Sequence, residues 1–288
     1  MYRYVPFEEI DKNKWNGAVH YAHNGNVYGY YWYLKAVFRE WDAVIEDDYQ
    51  SVMPIISSPL HDVIYDLIPQ LGPYSVNVLH STRIKEMIKV AREHSYNAIY
   101  PLNNSIHLRS LKGLRTIEVP YATFLLNKEY DTLSGQYDSE IFESIHHESK
   151  DHLSFVSGTK PELLVELSGY PAVKKNALMR IMYNAMQRGI GFSNGIKSKS
   201  SDDFIAASFF IASHNTLYEV FSMPHADLKA RRLLLDLVIR NGAGKPMNIQ
   251  LYEGIDGLEA MGFIKSNSLQ LYSGNTLTKI KKAIKLPY

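Results

Sequence analysis

Cysteine is absent from the 288 residues, which excludes disulfides, thiolate zinc sites and cysteine nucleophiles together. Long apolar runs are missing too. Stretches such as Phe209-Phe210-Ile211-Ala212 fall far short of the roughly 18 residues a membrane span needs, so no spanning helix is expected. Neither sign of charge dominates: Lys and Arg number 31 against 30 Asp and Glu, a formal net charge of +1. The chain as a whole therefore offers no electrostatic attraction for DNA, and any phosphate binding has to be local. The first residues, Met1-Tyr2-Arg3-Tyr4-Val5-Pro6, lack the basic and then apolar order of a secretory leader, so the protein is expected to act in the cytoplasm. No H-E-x-x-H or comparable ligand motif occurs. His146, His147 and His152 with Glu148 and Asp151 form a cluster whose commoner reading is a solvated helix face, and no metal is expected.

What is present is the composition of a globular protein, 45% hydrophobic and 21% charged, in a chain long enough for two cores. Helical patterns over 8–22 and 29–37 precede two paired strands, "WDAVIED" and "SVMPIIS", around Asp47-Asp48. A helix over 82–93 and short strands "NAIYPL", "LRTIEV" and "ATFLLN" follow, then a polar helical stretch over 129–150. A boundary near residue 150 divides the chain into an N-terminal domain, 1–150, and a C-terminal domain, 151–288. The second begins with a strand near Leu153, a helix over 171–188 and a glycine-rich loop at Gly189, Gly191 and Gly195. Then "DFIAASFFIAS" and "TLYEVFSM" read as a hairpin turning at His214-Asn215. A helix over 228–241, a strand "MNIQLYEG", a short helix over 257–261 and a strand "LQLYS" complete the chain. The helix crossing between strands 216–223 and 247–253 predicts that they are parallel, with a ligand near their carboxyl ends. The fold class is α/β (α+β).

The turn Met223-Pro224-His225-Ala226 joins a strand to a helix N-terminus, an order in which many α/β proteins hold a phosphate, yet it contains no glycine. Asp227 is the expected N-cap. Lys229, Arg231 and Arg232 stand in the first turn and a half, where the helix dipole disfavours cations by about 0.3–1 kcal/mol each. A bound anion reverses that cost, since guanidinium groups hold phosphate bidentately. With His225 they are the candidate donor-binding residues. Glu219 and Glu253, on neighbouring strands, are candidate general bases toward an amine, with a solvent-facing carboxylate and a helix cap as the plainer readings. Tyr218 and Tyr252 line a pocket and donate to an oxyanion, or are core tyrosines. Lys174, Lys175, Arg180, Arg188, Lys197 and Lys199, and the lysines of the tail 278–285, are solvated faces or, for residues 171–200, a weaker candidate for RNA binding.

The segments "AASFFIASHNTLYEVFS", "LLLDLVIRNG" and "LYEGIDGLEAMGF" together resemble the core of the GNAT acyltransferase superfamily, most of all the second domain of the tandem-GNAT group that includes the Fem-type peptidyl transferases. Tyr252-Glu253-Gly254 and Gly262-Phe263 fit the strand-end and helix-end patterns of that group, and "YATFLLNKEYDTLSGQYDSEIFESI" is similar to the segment joining its two domains. The resemblance implies two GNAT-like domains, the first degenerate, each a mixed twisted sheet flanked by helices. It implies transfer of an acyl or aminoacyl group from a thioester or ester to an amine of a cell-envelope or sugar precursor, with Glu253 or Glu219 as base. No cofactor is tightly bound; acyl-CoA or aminoacyl-tRNA enters as co-substrate, and the partners are a small-molecule donor and an amine acceptor. The chain departs from the GNAT pattern where a Q/R-x-x-G-x-G/A loop is usual, having His225-Ala226-Asp227-Leu228-Lys229-Ala230, and where a tyrosine is usual, having Leu258. The joining helix, "EIFESIHHESKDH", is acidic where Fem-type enzymes are basic. The alternative is therefore a catalytically inactive binding or scaffolding module of the same fold.

Overall fold

The computed structural model describes residues 1–56, 65–95, 98–106, 108, 111, 113–148 and 152–272; the lysine-rich tail lies outside them. The chain forms two units, residues Met1–Val119 with Asn267–Tyr288, and Pro120–Ser266.

The first unit contains a four-stranded antiparallel sheet, β1 (Tyr2–Val5), β2 (Asp42–Glu46), β3 (Ser51–Ile55) and β4 (Tyr74–Ser75), in that order. The expected pair "WDAVIED" and "SVMPIIS" is the β2–β3 hairpin, with Asp47 and Tyr49 at positive φ in its turn. Helix α1 (Lys12–Tyr21) is capped by the Asp11 carboxylate, which accepts from the Asn13 and Lys14 N–H groups, and α2 (Tyr31–Val37) follows it. Helix α3 (Ser81–His94) buries Ile84, Met87, Ile88 and Ala91, the spacing of one apolar face. That face joins a core with Val44, Met53 and Ile55. Strand β5 (Ile99–Pro101) pairs with residues Gln270–Tyr272 of the last strand.

The second unit is a mixed sheet whose strands run in the order β6 (Arg115–Leu125), β11 (Asn248–Leu251), β10 (Thr216–Ser222), β9 (Phe204–Ser213), β8 (Gly191–Ser198), β7 (Leu153–Ser157). Neighbours pair antiparallel except β10 with β11, which are parallel, as the crossover helix requires. That helix, α8 (Leu228–Gly242), buries Leu234, Leu235, Val238 and Ile239 with Phe124, Phe210, Leu217, Ile249 and Leu251 of the sheet. Short helices α4 (Tyr130–Ser134) and α5 (Ser139–Glu143) precede β7; α6 (Pro161–Leu167) and α7 (Ala172–Gln187) lie between β7 and β8. The hairpin between β9 and β10 turns at His214 and Asn215 with φ of 48° and 53°, the conformation of a type I′ turn. The last strand, β12, is Ile264–Tyr272.

Three expectations change. The unit boundary falls at Val119/Pro120 and Ser266/Asn267, not near residue 150, because Leu133, Tyr137 and Ile145 of the polar stretch are buried with α8. "LRTIEV" and "ATFLLN" are one strand, β6, running through Pro120. The stretch around Gly191 and Gly195 is strand β8, not a loop. A Cβ on Gly191 would stand 2.7 Å from the Ala185 Cβ, and one on Gly195 2.5 Å from the Phe204 ring, so these glycines serve close packing within a strand. Among the described residues no helix is long and apolar enough to cross a membrane.

Candidate active site

Strands β10 and β11 pair for only three residues, Thr216 with Asn248, Leu217 with Ile249 and Tyr218 with Gln250. Beyond Tyr218, β10 follows β9 through a bulge between Glu219 and Phe221, in which Val220 has no partner in the register, and β11 ends at Leu251. The two strands therefore part at their carboxyl ends, the place where an open α/β sheet binds ligands, and a bulge there re-aims the side chains.

Arg231 of α8 bridges that divergence. Its Nη1 donates to Glu219 Oε1 at 3.0 Å and to the Ser222 hydroxyl at 2.7 Å; Nη2 donates to Glu219 Oε2 and to the Glu253 carbonyl, both at 2.9 Å; Nε donates to the Gly254 carbonyl at 2.9 Å. A guanidinium has five N–H donors, and all are used. Ser208 adds a hydrogen bond of 2.6 Å to Glu219 Oε1. Both side chains are buried, 5% and 1% exposed. This corrects two expectations: Arg231 faces no donor phosphate, and Glu219 is no free base, because each is the other's partner. Gly254, at φ 57°, is required here, since a Cβ would stand 2.9 Å from Arg231 Nε.

Glu253 occupies the divergence differently. Its backbone is held by Arg231, and its half-buried carboxylate accepts the Tyr170 hydroxyl at 3.1 Å and 3.4 Å. Tyr170 stands just before α7, with the ammonium of Lys174 3.6 Å from its ring centroid. Lys174 is only 4% exposed, so the basic stretch 171–200 turns one of its cations inward, and Lys197 pairs with Asp202. Tyr252, half-buried, lies against the Tyr121 ring at 5.7 Å. Tyr218 is a core tyrosine, and burial pushes its hydroxyl up to about 12. Tyr170 was outside the expected site residues, and Lys174 was expected as a solvated cation or part of a weaker RNA-binding face; the signal for Tyr170 is the turn Ser168-Gly169-Tyr170-Pro171, a sharp chain reversal ahead of a helix.

At the start of α8, Asp227 is the N-cap, accepting the Ala230 N–H at 2.8 Å. His225 is exposed and takes the left-handed φ of 56° that the glycine-free turn demands. Lys229 and Arg232 line a cavity of about 900 Å³ together with Asp227, Glu140, Glu143 and His152. Arg232 gives one Nη2 hydrogen bond to the Gly257 carbonyl at 2.7 Å, while its buried Nε has no acceptor among the described residues. The charges lining this cavity are mixed, two cations against three carboxylates. Further along α8 the buried Asp236 accepts the Tyr130 and Tyr137 hydroxyls at 2.7 Å and 3.0 Å. Burial and this carboxylate push the Tyr130 hydroxyl up to about 12 and that of Tyr137 further. Among the described residues no group of three His, Asp or Glu is placed to hold a metal; the side chains of His147 and Glu148, and Asp151, lie outside them.

No family model and no curated protein matches the sequence. Solved structures do match the fold. FemX aligns over 96% of this chain and 98% of its own with a TM-score of 0.64 at 8% identity. The C-terminal domain of a putative lysylphosphatidylglycerol synthetase from Agrobacterium fabrum aligns over 95% and 96% with a TM-score of 0.55 at 8% identity. A tandem GNAT protein from the clavulanic acid biosynthesis pathway aligns over 96% and 99% with a TM-score of 0.54 at 10% identity. The chain therefore has the FemX-like, tandem GNAT fold. At these identities the likeness is one of fold.

Proposed function

We propose that the second unit transfers an acyl or aminoacyl group from a thioester or ester donor to an amine of a cell-envelope or sugar precursor, with Glu253 as general base. The observation that carries this reading is the contrast at the divergence of β10 and β11: Glu219 is buried in an ion pair with Arg231, whereas the Glu253 carboxylate is half-buried and accepts the Tyr170 hydroxyl. In the reaction the amine nitrogen attacks the carbonyl carbon and its proton passes to Glu253; the C–N bond forms, the C–S or C–O bond breaks, and the leaving sulfur or oxygen takes up a proton from solvent. The bulge at Val220 frees backbone groups from the β9 ladder, and an N–H there suits the oxyanion. The shared fold with FemX and a tandem GNAT protein supports acyl transfer as the reaction class.

The donor-binding role falls to Lys229 and Arg232, which line the cavity beside α8, with His225 two residues before the Asp227 cap as a further candidate. Acyl-CoA and aminoacyl-tRNA are the co-substrates to try. A panel of acyl-CoAs and charged tRNAs against amine acceptors should reveal transfer that falls about 10²- to 10⁴-fold in Glu253→Gln; undiminished transfer removes Glu253 from the base role. One observation favours a second reading, a binding module without catalysis: Leu258, standing where the family has its tyrosine acid, is fully buried in the core. Calorimetry with acetyl-CoA, longer acyl-CoAs and nucleotide-sugars separates the two when combined with the transfer assay, since a module binds without turnover.

A further inference from the structure

The turn between α6 and α7 is built around one side chain. Gly169 takes a left-handed φ of 63°. The buried Ser168 hydroxyl donates to the Val165 carbonyl at 2.5 Å and accepts the Tyr170 N–H at 3.1 Å. Pro171 then restricts Tyr170 to an extended backbone. So anchored, the Tyr170 ring meets Phe221 of β10 edge-on, centroids 6.5 Å apart at 87°, and its hydroxyl reaches both oxygens of Glu253. Lys174, in the first turn of α7, is 4% exposed with its ammonium over the same ring. A cation in that turn works against the helix dipole, and this one is turned inward over the ring whose hydroxyl meets Glu253.

We infer that Tyr170 is a positioning residue for the Glu253 carboxylate and that Lys174 strengthens its grip, the pair acting from the α7 side of the divergence. The inference rests on Glu253 being the base. A cation over the ring face draws electron density from the phenol, which makes its O–H a better donor to the carboxylate. A hydrogen bond to the charged form favours that form, so the carboxylate is held ionised and in one orientation, ready for the amine proton. From the α8 side Arg231 binds the Glu253 backbone carbonyl, and Tyr252 stands beside it in sequence; neither changes in the variants below.

The test uses the full chain carrying 13C-carboxyl glutamate, the Glu253 resonance being assigned by its loss in Glu253→Gln. Tyr170→Phe keeps the ring, the Phe221 contact and the cation and removes only the hydroxyl. Its Glu253 titration midpoint is expected to move up by about half a pH unit or more. With a substrate in hand, kcat is expected to fall about tenfold while the donor KM stays the same, and the acid limb of the pH profile to move with the midpoint. Lys174→Met should shift the midpoint the same way by less; if that variant does not fold by circular dichroism, Tyr170→Phe alone decides. An unchanged Glu253 midpoint in Tyr170→Phe overturns the inference. Full transfer by Glu253→Gln instead overturns the assignment of the base, so the two failures are told apart.

Discussion

Two glutamates flank the same parting of strands, and they are satisfied in opposite ways. On the α8 side Glu219 is sealed in a buried ion pair, with Arg231 and Ser208 filling its acceptor sites. On the α7 side Glu253 keeps partial exposure and accepts the Tyr170 hydroxyl. The first arrangement locks backbone: Arg231 joins β10 to the carbonyls of Glu253 and Gly254, which have left the sheet. The second keeps a carboxylate partly open to solvent. A charged residue at a strand end is thus no guide to chemistry until its partners are counted. The arginine that looked best placed for a phosphate holds the protein's own main chain instead.

Breaking the sealed side should cost most. Arg231→Met leaves Glu219 buried without its cation and should lower stability by about 3–5 kcal/mol, read from the urea midpoint; adding Glu219→Gln should recover part of the loss, because the two residues are coupled. Ser208→Ala removes one charge-assisted hydrogen bond and should cost about 1–3 kcal/mol. A further loss comes in base. Tyr218, next to Glu219, has its folded-state hydroxyl raised from 10.0 to about 12, so its contribution is intact below the unfolded value and disappears as pH climbs toward 12. Urea midpoints should fall over that window, and Tyr218→Phe should flatten the fall; an equal slope in the variant would deny Tyr218 a part in it. On the open side the effect on folding should be smallest. Glu253→Gln should stay within about 0.5 kcal/mol of the parent, and a large destabilisation would mean that Glu253 is as structural as Glu219.

What could be read in the sequence was what local rules govern. The His214-Asn215 turn follows from two residues tolerant of positive φ between alternating apolar runs, the Asp227 cap from a carboxylate ahead of an apolar helix, and the parallel β10–β11 pair from the helix that crosses between them. What failed depended on partners met only in the folded chain. Gly191 and Gly195 read as a loop because glycine is poor in strands, yet Ala185, Phe209 and Phe204 leave no room for a Cβ. Arg231 read as a free cation because Glu219, Ser222, Glu253 and Gly254 reach it only in the folded sheet. Tyr170 went unnoticed because its carboxylate partner lies 83 positions away. Polarity disguised residues 129–148, whose few apolar side chains join the core that α8 shares with the sheet.

The division of the chain has a consequence for the order in which it is made. The second unit is one uninterrupted stretch, whereas the first is left open at Val119 and closed only by residues after Ser266. Leu271 enters its core, the Asn267 amide donates to Glu118 at 2.7 Å and the Ser268 hydroxyl to the Val119 carbonyl at 3.2 Å. Synthesis runs from the N-terminus at about 5–20 residues per second, so the unit that starts first has to wait for the other to leave the ribosome before its last strand arrives. A nascent chain halted just after Ser266 would hold a complete inserted unit inside an unfinished host.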